Sequence, residues 1–201
     1  MTKKKNLPLC KYTMWTTVLG GTITALMVRQ NEKYLNRIGP HSSPALYDFG
    51  HNILPNLSTH ERLIDLCPIL LGLMVLYLIA FDNIDGDALI KTMCLGFILR
   101  IVTTRATHLP SPICRGQTFT PNAIGGCFDC IFSGHTFTTL LFANVIANAR
   151  PCYAKLMVAY SILSSVFIIA SRSHYTIDVL VAWVVYDWLR RITVVPWRHE
   201  M

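Results

Sequence analysis

Two short polar segments of this chain carry residue types that can perform nucleophilic and acid–base chemistry. Residues 133–136 read Ser-Gly-His-Thr, and residues 173–178 contain His174 and Asp178. Both segments lie at the edge of a strongly apolar run, where titratable side chains are costly and therefore point to function. Histidine titrates near neutral pH and can act as a nucleophile, a general acid or a general base.

The spacing of His174 and Asp178 suggests how one histidine is activated. In a helix, a residue four positions after a histidine lies on the same face one turn on. A carboxylate there can accept the ring N–H and fix the tautomer, as in catalytic triads. We predict that His174 is the nucleophile, Asp178 its orienting group and His135 the acid–base partner. The alternative is that they are interfacial residues that cap helices, with Ser133 as an N-cap and Asp178 at a helix N-terminus.

The composition is that of a membrane protein. Of the 201 residues, 52% are hydrophobic and 14% charged, and the mean hydropathy is +0.41, which is too apolar for an ordinary soluble domain. The net charge is +7, but the basic residues are scattered and form no patch interleaved with aromatic residues. We therefore expect no nucleic-acid partner.

Six apolar runs predict an all-α fold, a compact bundle of six transmembrane helices with the site at one membrane face. The runs cover residues 12–28, 66–81, 88–102, 132–149, 153–170 and 179–195. They define a membrane catalytic domain over 12–195, between a basic cytosolic tail (1–11) and a short C-terminal tail (196–201). Most runs are slightly shorter than the ~20 residues of a perpendicular span, which suits a thin endoplasmic reticulum or Golgi bilayer.

The order of the runs places both polar segments at the same membrane surface. Two spans separate the connector over residues 29–65 from that over 103–131, and two more separate the latter from 171–178. His135 and His174 therefore share a face in either orientation. The lysines at positions 3–5 favour a cytosolic N-terminus, which predicts a lumenal or extracellular site.

Four motifs in order resemble those of the sphingomyelin synthase and inositol phosphorylceramide synthase family, within the phosphatidic acid phosphatase type 2 superfamily. Residues 132–136 (Phe-Ser-Gly-His-Thr) and 174–179 (His-Tyr-Thr-Ile-Asp-Val) are similar to its paired histidine motifs. Earlier motifs are matched by residues 44–48 with 54–55, and by Arg100 with 107–112. The resemblance covers about residues 44–188. Phe128 is unusual for the family, and no early phosphate-binding motif of ordinary lipid phosphate phosphatases is visible.

The resemblance implies a phospholipid:ceramide phospho-headgroup transferase that needs no metal and no other cofactor. His174 would attack the phosphorus of a glycerophospholipid and form a phosphohistidine intermediate, while His135 protonates the departing diacylglycerol and later deprotonates ceramide. The expected partners are these two membrane lipids, in the Golgi, endoplasmic reticulum or plasma membrane. The choice among choline, ethanolamine and inositol donors stays open, with a leaning to inositol, and diacylglycerol could replace ceramide as acceptor.

Phosphate needs hydrogen-bond donors as well. We predict Arg172 and Arg100 as phosphate contacts, and the backbone N–H groups of Ser133 and Gly134 at a helix N-terminus. The alternative for the arginines is contact with the membrane interface.

Three further readings remain. A lipid phosphate phosphatase would use the same histidines with water as acceptor, and a non-catalytic membrane scaffold would not need them. Cys114, Cys127 and Cys130 could form a disulfide, although unpaired cysteines are the simpler reading.

Overall fold

All regular structure in the described part of the chain is helical. The computed structural model describes residues 7–38, 46–82, 86–109, 111–113 and 130–193. The long helices are α1 (Leu7–Ile38), α3 (Leu66–Asp82), α4 (Gly86–Ala106), α5 (Gly134–Ala149), α6 (Ala154–Ala170) and α7 (Thr176–Ile192). A short helix α2 (Phe49–Ile53) and two 3₁₀ segments (Ser58–Asp65 and Pro151–Tyr153) complete the order. The predicted all-α class is confirmed.

Each predicted apolar run lies mostly within one long helix, but the six-span arrangement stays a prediction. Two of the described helical segments, Ser58–Phe81 and Pro151–Ala170, are both long and apolar enough to cross a membrane. Helix α5 has 16 residues, which at ~1.5 Å per residue is about 24 Å and shorter than a typical ~30 Å hydrocarbon core.

The outer faces of α3 and α6 are lined with exposed apolar side chains, as expected for helices in contact with lipid. These are Leu66, Ile69, Leu70, Leu73, Leu76, Tyr77 and Phe81 on α3, and Leu156, Val158, Ile162, Leu163 and Val166 on α6.

Helix α1 is longer than the apolar run that predicted it, because polar contacts with α4 continue beyond residue 28. Asn31 is buried; its amide donates to Thr104 Oγ1 at 3.0 Å and accepts from Arg105 Nε at 2.7 Å. The Arg105 guanidinium also lies 4.9 Å from the centre of the Tyr34 ring. These bonds keep the polar end of α1 against α4 instead of releasing it into a connector.

Helix α5 is the central element of the bundle and contacts α3, α4, α6 and α7. Its buried side chains come from every face of the helix: Thr136, Phe137, Thr139, Leu140, Leu141, Ala143, Val145 and Ile146. Gly96 of α4 faces the Phe137 ring, which would collide with a Cβ at that position. Gly72 of α3 likewise faces Phe142, where a Cβ would lie 3.1 Å from the ring. Close packing on several sides therefore fixes the N-terminus of α5, which carries His135.

Candidate active site

The first histidine lies in the opening turn of α5. Ser133 is the N-cap, and its hydroxyl accepts hydrogen bonds from Thr136 N at 3.3 Å and Thr136 Oγ1 at 3.0 Å. His135 Nε2 lies 2.7 Å from Asp65 Oδ1, at the end of the first 3₁₀ segment. Their side chains are 15% and 28% exposed, so the pair is reachable from outside the protein.

Sequence reasoning missed Asp65. It was treated as the last residue of a connector, 70 positions from its partner. The available signal was its place: an acidic residue directly before an apolar run, in a connector assigned to the same membrane face as His135. An ionised carboxylate only accepts hydrogen bonds, so His135 Nε2–H donates to Asp65 and the ring nitrogen Nδ1 is not used by this contact.

The second histidine lies close to Asp178, but not through the predicted helical spacing. His174 Nδ1 lies 3.6 Å from Asp178 Oδ2, and both side chains are buried. Helix α7 begins only at Thr176, with Tyr175 as N-cap, so His174 precedes the helix and the one-turn helical spacing is wrong. Asp178 is the third helical residue, and its Oδ2 accepts a hydrogen bond from Tyr175 N at 2.9 Å. Helix capping, not a shared helical face, therefore turns the carboxylate towards the histidine.

The two histidine segments lie together. The imidazole rings of His135 and His174 have centroids 6.0 Å apart and planes inclined at 59°. A backbone hydrogen bond from Ser133 N to Asp178 O, 3.1 Å long, joins the two segments directly. The site therefore contains two adjacent imidazoles, each with its own carboxylate.

The motif over residues 44–48 helps to hold the segment that carries His174. Asp48 Oδ2 accepts from Thr176 N at 2.8 Å, and its Oδ1 accepts from Thr176 Oγ1 at 2.7 Å and from His51 N at 2.9 Å. Burial raises the pKa of Asp48, but the hydrogen bonds from Thr176 and His51 outweigh it and hold the pKa below its usual value. His51 Nε2 lies 3.1 Å from the His174 carbonyl oxygen, and its ring stacks on Tyr175. No role for Asp48 followed from the sequence; the structure places it as the anchor of the segment that carries His174.

The two predicted phosphate-binding arginines have different surroundings. Arg172 has a left-handed backbone (φ 64°), and its Nη2 donates to the carbonyl oxygens of His51 (2.6 Å) and Leu54 (3.0 Å). Its guanidinium thus already binds the end of α2. Arg100 is almost buried and donates from Nε to the Phe132 carbonyl at 2.9 Å.

The two predicted backbone donors, Ser133 and Gly134, have different surroundings. A Cβ on Gly134 would lie 3.3 Å from Arg100 Nε, so the guanidinium lies directly against the first turn of α5. The Ser133 N–H is already used by the Asp178 carbonyl, so it cannot bind phosphate without breaking that bond. Arg100 and the N-terminus of α5 together place positive charge at the turn that carries His135.

Of the three cysteines considered for a disulfide, Cys130 lies among the described residues. Its side chain is a buried thiol, and Cys114 and Cys127 lie outside that part of the chain. One candidate ligand atom each from Cys130, His174 and Asp178 lie within 4.8 Å of one another. Nothing in the residue spacing indicated that this cysteine would lie beside the histidine.

Comparison with known proteins gives similarities over different parts of the chain. Residues 126–192 match the family described as PAP2 superfamily C-terminal. Phosphatidylinositol:ceramide inositolphosphotransferase 3 of Arabidopsis thaliana is 29% identical over 205 residues, covering 84% of this chain and 70% of that protein. Phosphatidylinositol:ceramide inositolphosphotransferase 2 of the same plant is 28% identical over 204 residues, covering 84% of this chain and 66% of its own length. A phosphatidylinositol:ceramide inositolphosphotransferase of Oryza sativa subsp. indica is 34% identical over 107 residues, 42% of this chain and 33% of that protein.

Proposed function

We propose that this chain transfers a phospho-headgroup from a glycerophospholipid to ceramide and releases diacylglycerol. The chain belongs to the sphingomyelin synthase and inositol phosphorylceramide synthase family of the PAP2-like superfamily. Phosphatidylinositol is the proposed donor, because the relatives named above are phosphatidylinositol:ceramide inositolphosphotransferases. The enzyme acts within a membrane, with the site at the lumenal or extracellular face. The observation that carries the proposal is the pair of adjacent imidazoles, His135 and His174, 6.0 Å apart and each beside its own carboxylate.

The first half-reaction forms a phosphohistidine. His174 directs Nδ1 towards Asp178, so the lone pair of Nε2 attacks the donor phosphorus. The bond from phosphorus to the diacylglycerol oxygen breaks, and His135 delivers a proton from Nδ1 to that oxygen. The 3.6 Å separation of His174 and Asp178 exceeds a hydrogen bond, but contacts of this kind commonly tighten when substrate binds. Asp178 then stabilises the positive charge that develops on the imidazole.

The second half-reaction returns the headgroup to a lipid. His135, now neutral at Nδ1, takes the proton of the ceramide primary hydroxyl, and the oxygen attacks the phosphohistidine. The bond between phosphorus and His174 Nε2 breaks, which restores the enzyme. Arg100, which lies against Gly134 beside His135, and the N-terminus of α5 counter the charge of the phosphoryl oxygens in both steps. Two successive displacements allow both lipids to use one site.

The proposal predicts that His174→Ala and His135→Ala each lose transfer almost completely, since general acid–base help alone is commonly worth about 10²- to 10⁴-fold. The purified protein is incubated with phosphatidylinositol labelled in its inositol and with fluorescent ceramide, and the lipids are separated by chromatography. His60→Ala is the matched control, because this exposed histidine is hydrogen-bonded through its ring to the neighbouring Thr59. It should retain normal turnover.

The second half of the same assay separates transfer from hydrolysis. The transferase forms an inositol phosphorylceramide and consumes ceramide in proportion to the diacylglycerol released. Release of water-soluble inositol phosphate with no ceramide product would instead favour a phosphatase. Normal turnover in His174→Ala would contradict the phosphohistidine step. Acid-labile label that remains on the wild-type protein when ceramide is omitted, and is absent from His174→Ala, would support it.

A further inference from the structure

A third chemical group stands beside the proposed nucleophile, and the phosphotransfer steps do not use it. Cys130, His174 and Asp178 come from two segments 44 to 48 residues apart in sequence, and each offers a metal-ligand atom within 4.8 Å of the other two. All three residues are buried, with exposures of 1%, 5% and 1%. A thiol, an imidazole and a carboxylate that converge in this way have the donor set of a zinc site with one position left open.

The spacing of two of the donors is that of ligands on one ion. His174 Nδ1 and Asp178 Oδ2 are 3.6 Å apart. Ligands on a tetrahedral zinc, at ~2.0–2.3 Å from the ion, lie about 3.3–3.7 Å from one another. The bound of 4.8 Å for the whole set exceeds this ligand spacing by about an ångström, so the three donors need to close in only slightly on the ion.

The carboxylate is held by one hydrogen bond, and either of its oxygens has lone-pair capacity left for an ion. Asp178 Oδ2 accepts from Tyr175 N, whereas Asp178 Oδ1 is buried and accepts no hydrogen bond from the described residues. Ligating carboxylates around zinc are themselves hydrogen-bonded by neighbouring groups in this way.

We propose that Cys130, His174 and Asp178 form an inhibitory site for a thiophilic divalent cation, with zinc as the fitting ion. The thiolate selects zinc over magnesium, which prefers oxygen ligands in octahedral geometry. Binding releases the thiol proton of Cys130 to solvent. The His174 lone pair at Nδ1 goes to the ion, so the proton of the neutral ring moves to Nε2. A ring protonated at Nε2 has no lone pair there to attack phosphorus.

Cobalt tests the site without any reference to activity. Full-length protein in detergent micelles is titrated with Co²⁺, and the near-ultraviolet absorption of a thiolate-to-cobalt transition is recorded. We expect one Co²⁺ per chain with this band in the wild type, and its loss in Cys130→Ser. Cys152→Ser is the matched control, because Cys152 is an exposed cysteine on the 3₁₀ segment before α6. An unchanged band in Cys130→Ser, or no band in the wild type, would overturn the proposed site.

The inhibitory part rests on the proposed transferase function and is measured separately. Each protein is assayed with and without Zn²⁺, and inhibition is expressed relative to its own zinc-free rate. We expect reversible inhibition of the wild type, relieved by a chelator and not reproduced by Mg²⁺. The zinc concentration for half inhibition should rise at least about 10-fold in Cys130→Ser, as for losses around other zinc sites. Equal inhibition of wild type and Cys130→Ser would refute inhibition through this cluster. If the protein shows no transferase activity, the proposed function fails, and the cobalt titration still shows whether Cys130 helps to bind a metal ion.

Discussion

Replacing Asp65 by asparagine tests whether the carboxylate of the missed residue positions His135. In the wild type, Asp65 Oδ1 fixes His135 by a 2.7 Å hydrogen bond to Nε2, which leaves Nδ1 for proton exchange. The side-chain amide of the Asp65→Asn variant carries no charge, and its NH₂ group could turn towards the ring and donate to Nε2. Nε2 would then serve as an acceptor and Nδ1 would carry the proton in the neutral ring, so the base step would lose its lone pair.

The structure sets the size of the expected effect. Hydrogen bonds to a charged partner contribute about 1.5–3 kcal/mol, and ~1.4 kcal/mol corresponds to tenfold in rate. Asp65 is 28% exposed, so water screens part of the interaction and the lower half of that range applies. We expect kcat to fall by about 10- to 50-fold, with a much smaller change in KM, because Asp65 acts on the proton transfer and not on lipid binding.

The assay is ceramide-dependent transfer, measured as initial rates over a range of donor concentrations. Asp65→Glu should recover part of the lost kcat, since it keeps the charge and only lengthens the side chain. Asp187→Asn is the matched control; this carboxylate pairs with Arg190 and Arg191 at the exposed end of α7 and should leave turnover unchanged. If Asp65→Asn and Asp65→Glu lose activity equally, or if the loss falls on KM alone, positioning of His135 by the Asp65 charge is refuted.

Two further predictions concern stability, measured by thermal unfolding in detergent micelles. Asp48→Asn should lower Tm at neutral pH, and the difference in Tm between wild type and variant should shrink as the pH falls below 3.8. The folded-state pKa of Asp48 lies below its ordinary value of 3.8, so its contribution is present above that value and is lost as pH falls through the lower folded-state pKa; a deficit that does not change with pH would contradict this. Gly96→Ala should cost about 1–3 kcal/mol, because its methyl group runs into the Phe137 ring. Gly20→Ala, which meets nothing within 4 Å, is the control, and equal Tm values for the two alanine variants would contradict the packing argument.

Residue types and hydropathy were enough to predict the helical class and the central histidines. Apolar runs must be helical when their backbone cannot bond to water, and each predicted run does lie mostly in one long helix. His135 and His174 were identified because titratable groups beside apolar runs are rare and costly. Counting the runs predicts that the two histidines share a membrane face; the structure shows their rings 6.0 Å apart. The capping role of Ser133 was also local, since an N-cap hydroxyl bonds only two or three residues ahead.

Local patterns were less reliable where the reach of a side chain depended on the exact start of a helix. The predicted one-turn spacing from His174 to Asp178 was wrong, because α7 begins after the histidine. Arg172 precedes the histidine by two residues, which suggested a phosphate contact. Its Nη2 donates to the carbonyls of His51 and Leu54, whereas its Nη1 is buried with no hydrogen-bond partner among the described residues, so the phosphate contact stays a prediction. Neither backbone angle nor helix start is encoded in residue spacing.

Only the tertiary structure decided which distant groups complete the site. Asp65 reaches His135 across 70 residues, and Asp48 holds Thr176 across 128. The first contact depends on how α3 packs against α5 and the second on how α2 packs against α7, and a sequence pattern contains no distances between elements. The position of Cys130 near His174 likewise follows from packing and not from residue spacing. The sequence by itself determined which residues carry chemistry, because that depends on side-chain type. Packing determined their partners, because a hydrogen bond or a metal ligand requires placement to within an ångström.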